Sequence, residues 1–193
     1  MKIVKPNKIG LKQAAKILKQ GGVIVYPTDT AYALGGVFNS KKAKAKILLI
    51  KERNDEKFTL IASGLEQAEK NFKFNALQKK LAKKFWPGPL SIVVSHQFAV
   101  RVPKNKIARD LAALAFKPLI ATSANISGTK TLYSSTEIIK QFKNKKNQPD
   151  LILASGNLKK RKTSTIVKVI SGRLEIIRPG NINFNHLNKL LRI

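Results

Sequence analysis

Residues 21–36, GGVIVYPTDTAYALGG, are the stretch on which the fold turns. Val23, Ile24, Val25 and Tyr26 form an uninterrupted β-branched and aromatic run, the pattern of a strand covered on both faces. Pro27 has no N–H to give a ladder, so pairing is expected to stop there. Thr28, Asp29, Thr30 and Tyr32 come next as a hydroxyl-rich loop that closes on Gly35 and Gly36. In open α/β sheets, ligands bind at the carboxyl ends of strands. The same proline, aspartate and glycines would also serve an ordinary chain reversal, so the stretch does not fix a function by itself.

Working outward, Leu11, Ala14, Ala15 and Leu18 recur at helical spacing over residues 11–20, and Gly21 and Gly22 end that helix. Ser40 can cap a second helix with Ala43, Ile47 and Ile50 on one face, running out at Lys51-Glu52-Arg53, where cations also suit the helix dipole. Phe58 to Ser63 reads as a strand. Asn75 can cap a helix to Phe85 with Leu77 and Leu81 inward, and Trp86-Pro87-Gly88-Pro89 makes a rigid turn. Ser91 to Ser95 and Phe98 to Val102 are neighbouring strands joined at His96-Gln97. Arg101 interrupts the second, and an arginine there either snorkels or faces an anion.

Asn105 can cap a helix with Ile107, Leu111 and Leu114 on one face, and Leu119 to Ala121 is a buried strand. It delivers a second hydroxyl-rich loop, Thr122 to Gly128. Ser134 or Ser135 can start a helix to Phe142, KNKKNQPD at 143–150 is a solvated connector without evident chemistry, and Leu151 to Ala154 is a strand. GNLKKRKT at 156–163 is a basic glycine-containing loop and a candidate lid. Ser164 to Val169 and Leu174 to Arg178 form a hairpin about Ser171-Gly172, and Phe184 to Leu191 a short final helix.

With 193 residues, 43% of them hydrophobic, the expectation is one domain over 1–193 that buries about 70% of its unfolded surface. No apolar run approaches the roughly 20 residues of a membrane span, and the N-terminus lacks the apolar segment of a signal peptide. Cysteine is absent, which removes disulfides and thiolate metal sites and makes the cytoplasm the expected compartment. Against 10 acidic residues stand 38 lysines and arginines, a net charge of +28 that attracts polyanions. Salt-sensitive RNA or DNA binding results from such a charge whether or not it is the function, since phosphate neutralisation releases counterions.

His96 and His186 are the only histidines, neither beside an acid nor in metal-ligand spacing, and there is no Walker loop or GxGxxG turn. Loop hydroxyls, amides and cations remain: Thr28, Thr30, Tyr32, Lys51, Arg53, Lys57, Arg101, Ser123, Asn125, Ser164 and Arg178. Guanidinium groups grip phosphate or carboxylate, and small hydroxyls let backbone amides approach a ligand. Such a set works by positioning a nucleophile and neutralising charge at phosphorus, with little need for a covalent protein intermediate.

PTDTAYALGG, the KER of Lys51 to Arg53, FWPGPLSIVV, FAVRVP, TSANISG, the STIV of Ser164 to Val167 and the IRPG of Ile177 to Gly180 stand in an order that resembles the YrdC/Sua5/TsaC family. The likeness runs from about Val4 to Gly180, in the short single-domain form. It implies an α/β (α+β) fold, a twisted mixed β-sheet with flanking helices around a basic concave groove. It also implies threonylcarbamoyl-AMP synthesis. L-threonine, bicarbonate or CO2, and ATP would give L-threonylcarbamoyladenylate and pyrophosphate, with Mg2+ helping to carry charge, and transfer proteins of the TsaB/TsaD/TsaE type would use the product for t6A at tRNA adenosine 37.

By the same resemblance Lys51, Arg53 and Lys57 would hold ATP phosphates, Ser123 and Asn125 the adenylate, and Arg178 the nucleotide. Thr30, Tyr32, Arg101, Ala121 and Ser164 would surround threonine. No residue is implied as a strong general base or protein metal ligand. The sequence departs from the family's pattern at Asn54, for a common proline, at Ala33, for a glycine, and at Ala62, where many longer members carry a threonine-contacting histidine. The alternative is a non-catalytic RNA-binding or ribosome-associated module on the same fold, binding tRNA or double-stranded RNA.

Overall fold

The computed structural model describes residues 1–183 and Leu187. The helix expected over 184–191 therefore lies outside the described residues, except for Leu187, which is buried. A strand not expected from sequence, β1 (Lys2–Val4), opens the chain. Helix α1 (Lys8–Lys19) is next, capped by Asn7, whose side chain accepts from the Gly10 N–H at 2.9 Å. Ala14, Ala15 and Leu18 are buried along its inner face, as the spacing predicts.

The run from Val23 to Tyr26 is fully buried, and β2 (Ile24–Pro27) ends at the proline. The loop expected from Thr28 through Tyr32 is shorter in the structure. Tyr32 to Gly35 is a strand, β3, paired antiparallel to β2 with Pro27 opposite Tyr32, so residues 28–31 are a hairpin turn. Its signal is hidden in the sequence because Asp29-Thr30 takes the place of the usual Asn-Gly. The Thr28 N–H and hydroxyl both donate to the Ala31 carbonyl, at 3.1 and 2.6 Å. Gly35 belongs to the strand for a separate reason: a Cβ there would lie 1.7 Å from the Ile120 carbonyl oxygen.

Ser40 caps α2 (Lys41–Lys51) as expected, and Ala43, Ile47 and Ile50 are buried. Then come β4 (Phe58–Ile61), a helix not expected from the sequence, α3 (Leu65–Asn71), and α4 (Ala76–Phe85), which begins with a reciprocal Asn75–Gln78 capping box. Strands β5 (Leu90–Val93) and β6 (Phe98–Arg101) pair antiparallel. In α5 (Lys106–Leu114) the buried face is Ala108, Leu111 and Ala112, and Leu114 is exposed, contrary to expectation. The helix is apolar on several sides. Packing against α1 selects the alanine face, because small residues there allow the two helices to approach closely.

The predicted strand from Leu119 to Ala121 is shorter in the structure, and the start of the loop expected from Thr122 is itself a strand. Residues Leu119–Ile120, β7, join β4, while Thr122–Ser123, β8, join β3. After α6 (Ser135–Phe142) and β9 (Leu151–Leu153), the chain closes with the expected hairpin of β10 (Thr165–Ile170) and β11 (Arg173–Arg178). The architecture is mixed α/β, with two mixed sheets where a single one was expected. Their strand orders are β1-β9-β2-β3-β8 and β11-β10-β5-β6-β4-β7.

The connector at 143–150 is less inert than its composition suggests. Asp150 ties three strand starts together: its carboxylate accepts from the Val23 N–H at 2.8 Å and from Lys46 Nζ at 2.6 Å, its carbonyl accepts from the Lys2 N–H, and its own N–H donates to the Val23 carbonyl. Partial burial alone would raise the Asp150 pKa, but the hydrogen bonds from Lys46 and Val23 hold it below the usual carboxylate range. The stabilisation therefore exists above the unfolded carboxylate pKa, about 4, and is lost as pH falls through the lower folded value. Asp150→Ala should cost about 1–2 kcal/mol at pH 7, lowering the melting temperature by roughly 2–8 °C. Calorimetry at pH 3 should show that gap narrowed.

Candidate active site

Alternation along the six-stranded sheet puts Thr59, Val93, Ala99, Arg101, Ile166 and Lys168 on one face, while Leu60, Ile92, Val100 and Val167 turn into the cores behind it. That face floors a cleft of about 1020 Å³. The hairpin turn at 28–31 and the segment 121–123 wall it, with Arg53, Lys57, Tyr133, Arg161, Ser164 and Arg178 around the rim. Among the described residues no carboxylate lines it. Six cations do, Arg53, Lys57, Arg101, Arg161, Lys168 and Arg178.

Arg101 is 4% exposed and faces Asp29 Oδ1 at 3.0 Å. The pairing is electrostatic, without good hydrogen-bond alignment, and the buried Nε and Nη1 of Arg101 have no partner among the described residues. Burial lowers the basicity of the guanidinium and the Asp29 carboxylate opposes that. Unpartnered N–H groups of a buried cation are costly, and Asp29 Oδ1 beside them is likewise buried without a hydrogen-bond partner, so this corner holds unused hydrogen-bonding capacity. Thr28 organises the turn beside it: its hydroxyl accepts from the N–H groups of Thr30 and Ala31, both at 3.2 Å, and lies 3.2 Å from the Thr30 hydroxyl.

The Arg53 guanidinium carbon lies over the Phe58 ring, 4.8 Å from its centroid, and Arg53 donates to the Lys57 carbonyl at 3.3 Å. Its Nε has no partner among the described residues. Across the cleft, Arg178 donates to the Ser164 carbonyl at 2.9 Å and to the Ser164 hydroxyl at 3.1 Å. Gly180 makes that approach possible, since a Cβ there would meet Thr163 O, Ser164 C and Thr165 N at 2.4–2.5 Å. The Tyr32 hydroxyl is already satisfied, donating to the Gly156 carbonyl and accepting from the Ser155 N–H, both at 2.9 Å. It fastens the start of the 156–163 loop, whose Arg161 and Thr163 reach the cleft.

A family model for Sua5, YciO and YrdC, described as telomere recombination, matches residues 16–180. The chain belongs to this family. A Psychromonas ingrahamii protein named threonylcarbamoyl-AMP synthase is 39% identical over 150 residues, 69% of this chain and 78% of that protein. The fold superposes on Pyrococcus abyssi Sua5 complexed with L-threonine with a TM-score of 0.86 and 26% identity, covering 98% of this chain and 59% of that one. On Escherichia coli YciO the TM-score is 0.81 at 27% identity, covering 94% and 96%. The chain thus spans about three fifths of the Sua5 structure and nearly all of the YciO structure.

Of the residues that the family resemblance singled out, Thr30, Tyr32, Arg53, Lys57, Arg101, Ala121, Ser123, Ser164 and Arg178 line this one cleft. Lys51 and Asn125 stand behind its wall. The Lys51 ammonium is buried and donates to the carbonyls of Ser123, at 2.7 Å, and Asn125, and also to the Asn125 side chain. Asn125 in turn donates to the carbonyls of Ile126 and Thr129 at 3.0 and 2.6 Å, which folds the loop. Burial, then the charge of Arg53, pushes the Lys51 pKa down to about 8. Both residues shape the segment that presents Ser123.

Sequence reasoning missed Thr59, His96, Thr131, Tyr133, Arg161 and Lys168 in the lining, and Ser91, buried on the same sheet face against Ser164. Only strand alternation next to Arg101 could have pointed to Ser91 and Thr59. Removing the lysine head at position 51 would orphan carbonyls at about 1–3 kcal/mol each. Lys51→Met should accordingly lower the melting temperature and expose residues 123–129 to proteolysis. A phosphate-binding lysine would instead leave stability intact and raise the KM for nucleotide.

Proposed function

We propose that the chain is a threonylcarbamoyl-AMP synthase acting in the cytoplasm, forming L-threonylcarbamoyladenylate and pyrophosphate from L-threonine, bicarbonate or CO2, and ATP. The observation that carries this reading is the cleft itself: cations and hydroxyls from segments far apart in the chain converge on one hollow without a carboxylate among its described lining, and a buried guanidinium there has N–H groups to give. The relatives named for this activity, and the superposition on a Sua5 bound to L-threonine, support it.

In this reading Arg101 receives the threonine carboxylate, with Thr30, Ala121 and Ser164 closing round the amino acid and the Tyr32 ring packed behind. Arg53 and Lys57 take the ATP phosphates, and Ser123 and Arg178 flank the nucleotide. The threonine amine must be unprotonated to capture CO2. Its carbamate oxygen then attacks the α-phosphorus in line as pyrophosphate leaves. Fixed cations neutralise charge on the phosphoryl oxygens and on the departing pyrophosphate, and they need no reorganisation because the fold already holds them. Lys51 and Asn125 act at one remove, by holding Ser123.

Among the described residues no group of three His, Cys, Asp or Glu could hold a metal, so they offer no seat of their own for Mg2+. Magnesium would arrive with the nucleotide. The adenylate is a labile mixed anhydride, so proteins of the TsaB/TsaD/TsaE type would consume it in t6A formation. Among the described residues no helix is long and apolar enough to cross a membrane. The net charge of +28 keeps the RNA-binding alternative in view.

Incubation with ATP, L-threonine and bicarbonate should release pyrophosphate. Arg53→Ala should cut kcat/KM for ATP, and Arg101→Ala that for threonine, each by roughly 10- to 100-fold, the worth of a charge-assisted contact of about 1.5–3 kcal/mol. Wild-type turnover in Arg53→Ala would remove the phosphate assignment. No turnover by the intact protein, together with salt-dependent RNA binding that survives Arg53→Ala, would favour the RNA-binding module.

A further inference from the structure

On the cleft-facing side of β5, covered by its neighbours, lies a buried serine that none of the assignments above uses. Ser91 is 0% exposed, and its hydroxyl lies 3.0 Å from the Ser164 hydroxyl. That contact is its only side-chain hydrogen bond among the described residues. A serine hydroxyl has one hydrogen to give and two lone pairs to receive. If Ser91 only accepted, its own hydrogen would be buried without a partner, which is the costlier arrangement. Ser91 therefore donates to Ser164.

The consequence passes to the cleft. Ser164 Oγ then accepts twice, from Ser91 and from Arg178 Nη2 at 3.1 Å, and both of its lone pairs are filled. Its single hydrogen is left to point at whatever occupies the cleft that Ser164 lines. The strand register that pairs Ile92 with Val100 sets Ser91 beside Arg101, whose Nε and Nη1 are also donors without partners among the described residues. The Arg101 Nε and Nη1 and the remaining Ser164 hydrogen can only give hydrogen bonds, and the one carboxylate beside them, Asp29, is already 3.0 Å from Arg101 through its Oδ1. We infer that Ser91 is a positioning residue that fixes Ser164 as a hydrogen-bond donor, and that this corner thereby selects an anionic group of the amino-acid substrate over a neutral or cationic one. The inference rests on the threonine reading for the identity of the ligand, but the hydroxyl arrangement itself does not depend on it.

Two measurements test it. In the first, high-resolution crystal structures of the protein and of Ser91→Ala are compared without substrate. Ser164 Oγ should leave its place or change partners in the variant; an unchanged Ser164 rotamer still bonded to Arg178 overturns the positioning role. The second is steady-state pyrophosphate release. Ser91→Ala should raise the KM for L-threonine about fivefold, with kcat, the KM for ATP and the melting temperature nearly unchanged, a split that a merely structural role would not give. The double variant Ser91→Ala/Ser164→Ala should match Ser164→Ala within about twofold, because Ser91 acts only through Ser164. Losses that multiply, or a Ser91→Ala enzyme with wild-type KM, overturn the inference. Should the intact protein release no pyrophosphate while Ser164 still shifts in the first measurement, the threonine reading fails and the positioning role stands.

Discussion

The site depends on one crossing. Between Leu119 and Ser123 the chain leaves the six-stranded sheet and enters the five-stranded one, and at Ile120 it must pass close against the first hairpin. The Ile120 N–H donates to the Gly36 carbonyl at 2.8 Å, and its carbonyl accepts from the Tyr26 hydroxyl at 2.9 Å. Only a residue without a Cβ fits at position 35 beneath that carbonyl. Burial raises the Tyr26 pKa well above its ordinary value, so the phenol remains a donor at any physiological pH. With this crossing fixed, the turn at 28–31, Ala121 and Ser123 reach the same hollow as Arg101.

The cleft then stores an electrostatic imbalance. Arg101 and Arg178 are close enough for their charges to oppose one another, as are Lys51 and Arg53, and burial adds to the cost of each. Such an arrangement is unfavourable in the empty protein and becomes favourable when a multiply charged anion enters. Lys51 solves its own share differently, giving its hydrogens to backbone carbonyls of the loop behind the wall. Two lysines only six residues apart thus end with separate tasks: Lys57 lies exposed at the cleft rim and Lys51 is an internal clamp.

Much of the local structure was legible because its causes are local. Ser40, Asn75 and Asn105 cap helices through side-chain bonds to backbone groups three residues away, and the helical spacing of Ala43, Ile47 and Ile50 gives a buried face. The hairpin of β10 and β11 announces itself at Ser171-Gly172. Features set by distant partners were not legible: β3 needs β2 and β8, the α5 face needs α1, and the work of Asp150 needs Val23 and Lys46.

The sequence by itself determined the chemistry of this protein. Its order of motifs, its excess of cations and its hydroxyl-rich loops specify an anion-handling member of the Sua5/YciO/YrdC family, since residue type and spacing along the chain suffice for that. Only the tertiary structure decided which of those residues line the cleft. Lys51 and Asn125 look like equals of Arg53 and Ser123 along the chain, and Ser91 looks like any strand serine. Their separation depends on which backbone carbonyls and hydroxyls lie within about 3 Å of each side chain. Contacts such as Lys51 to Ser123 and Ser91 to Ser164 join residues far apart in the chain, and sheet pairing, which no local pattern records, fixes them.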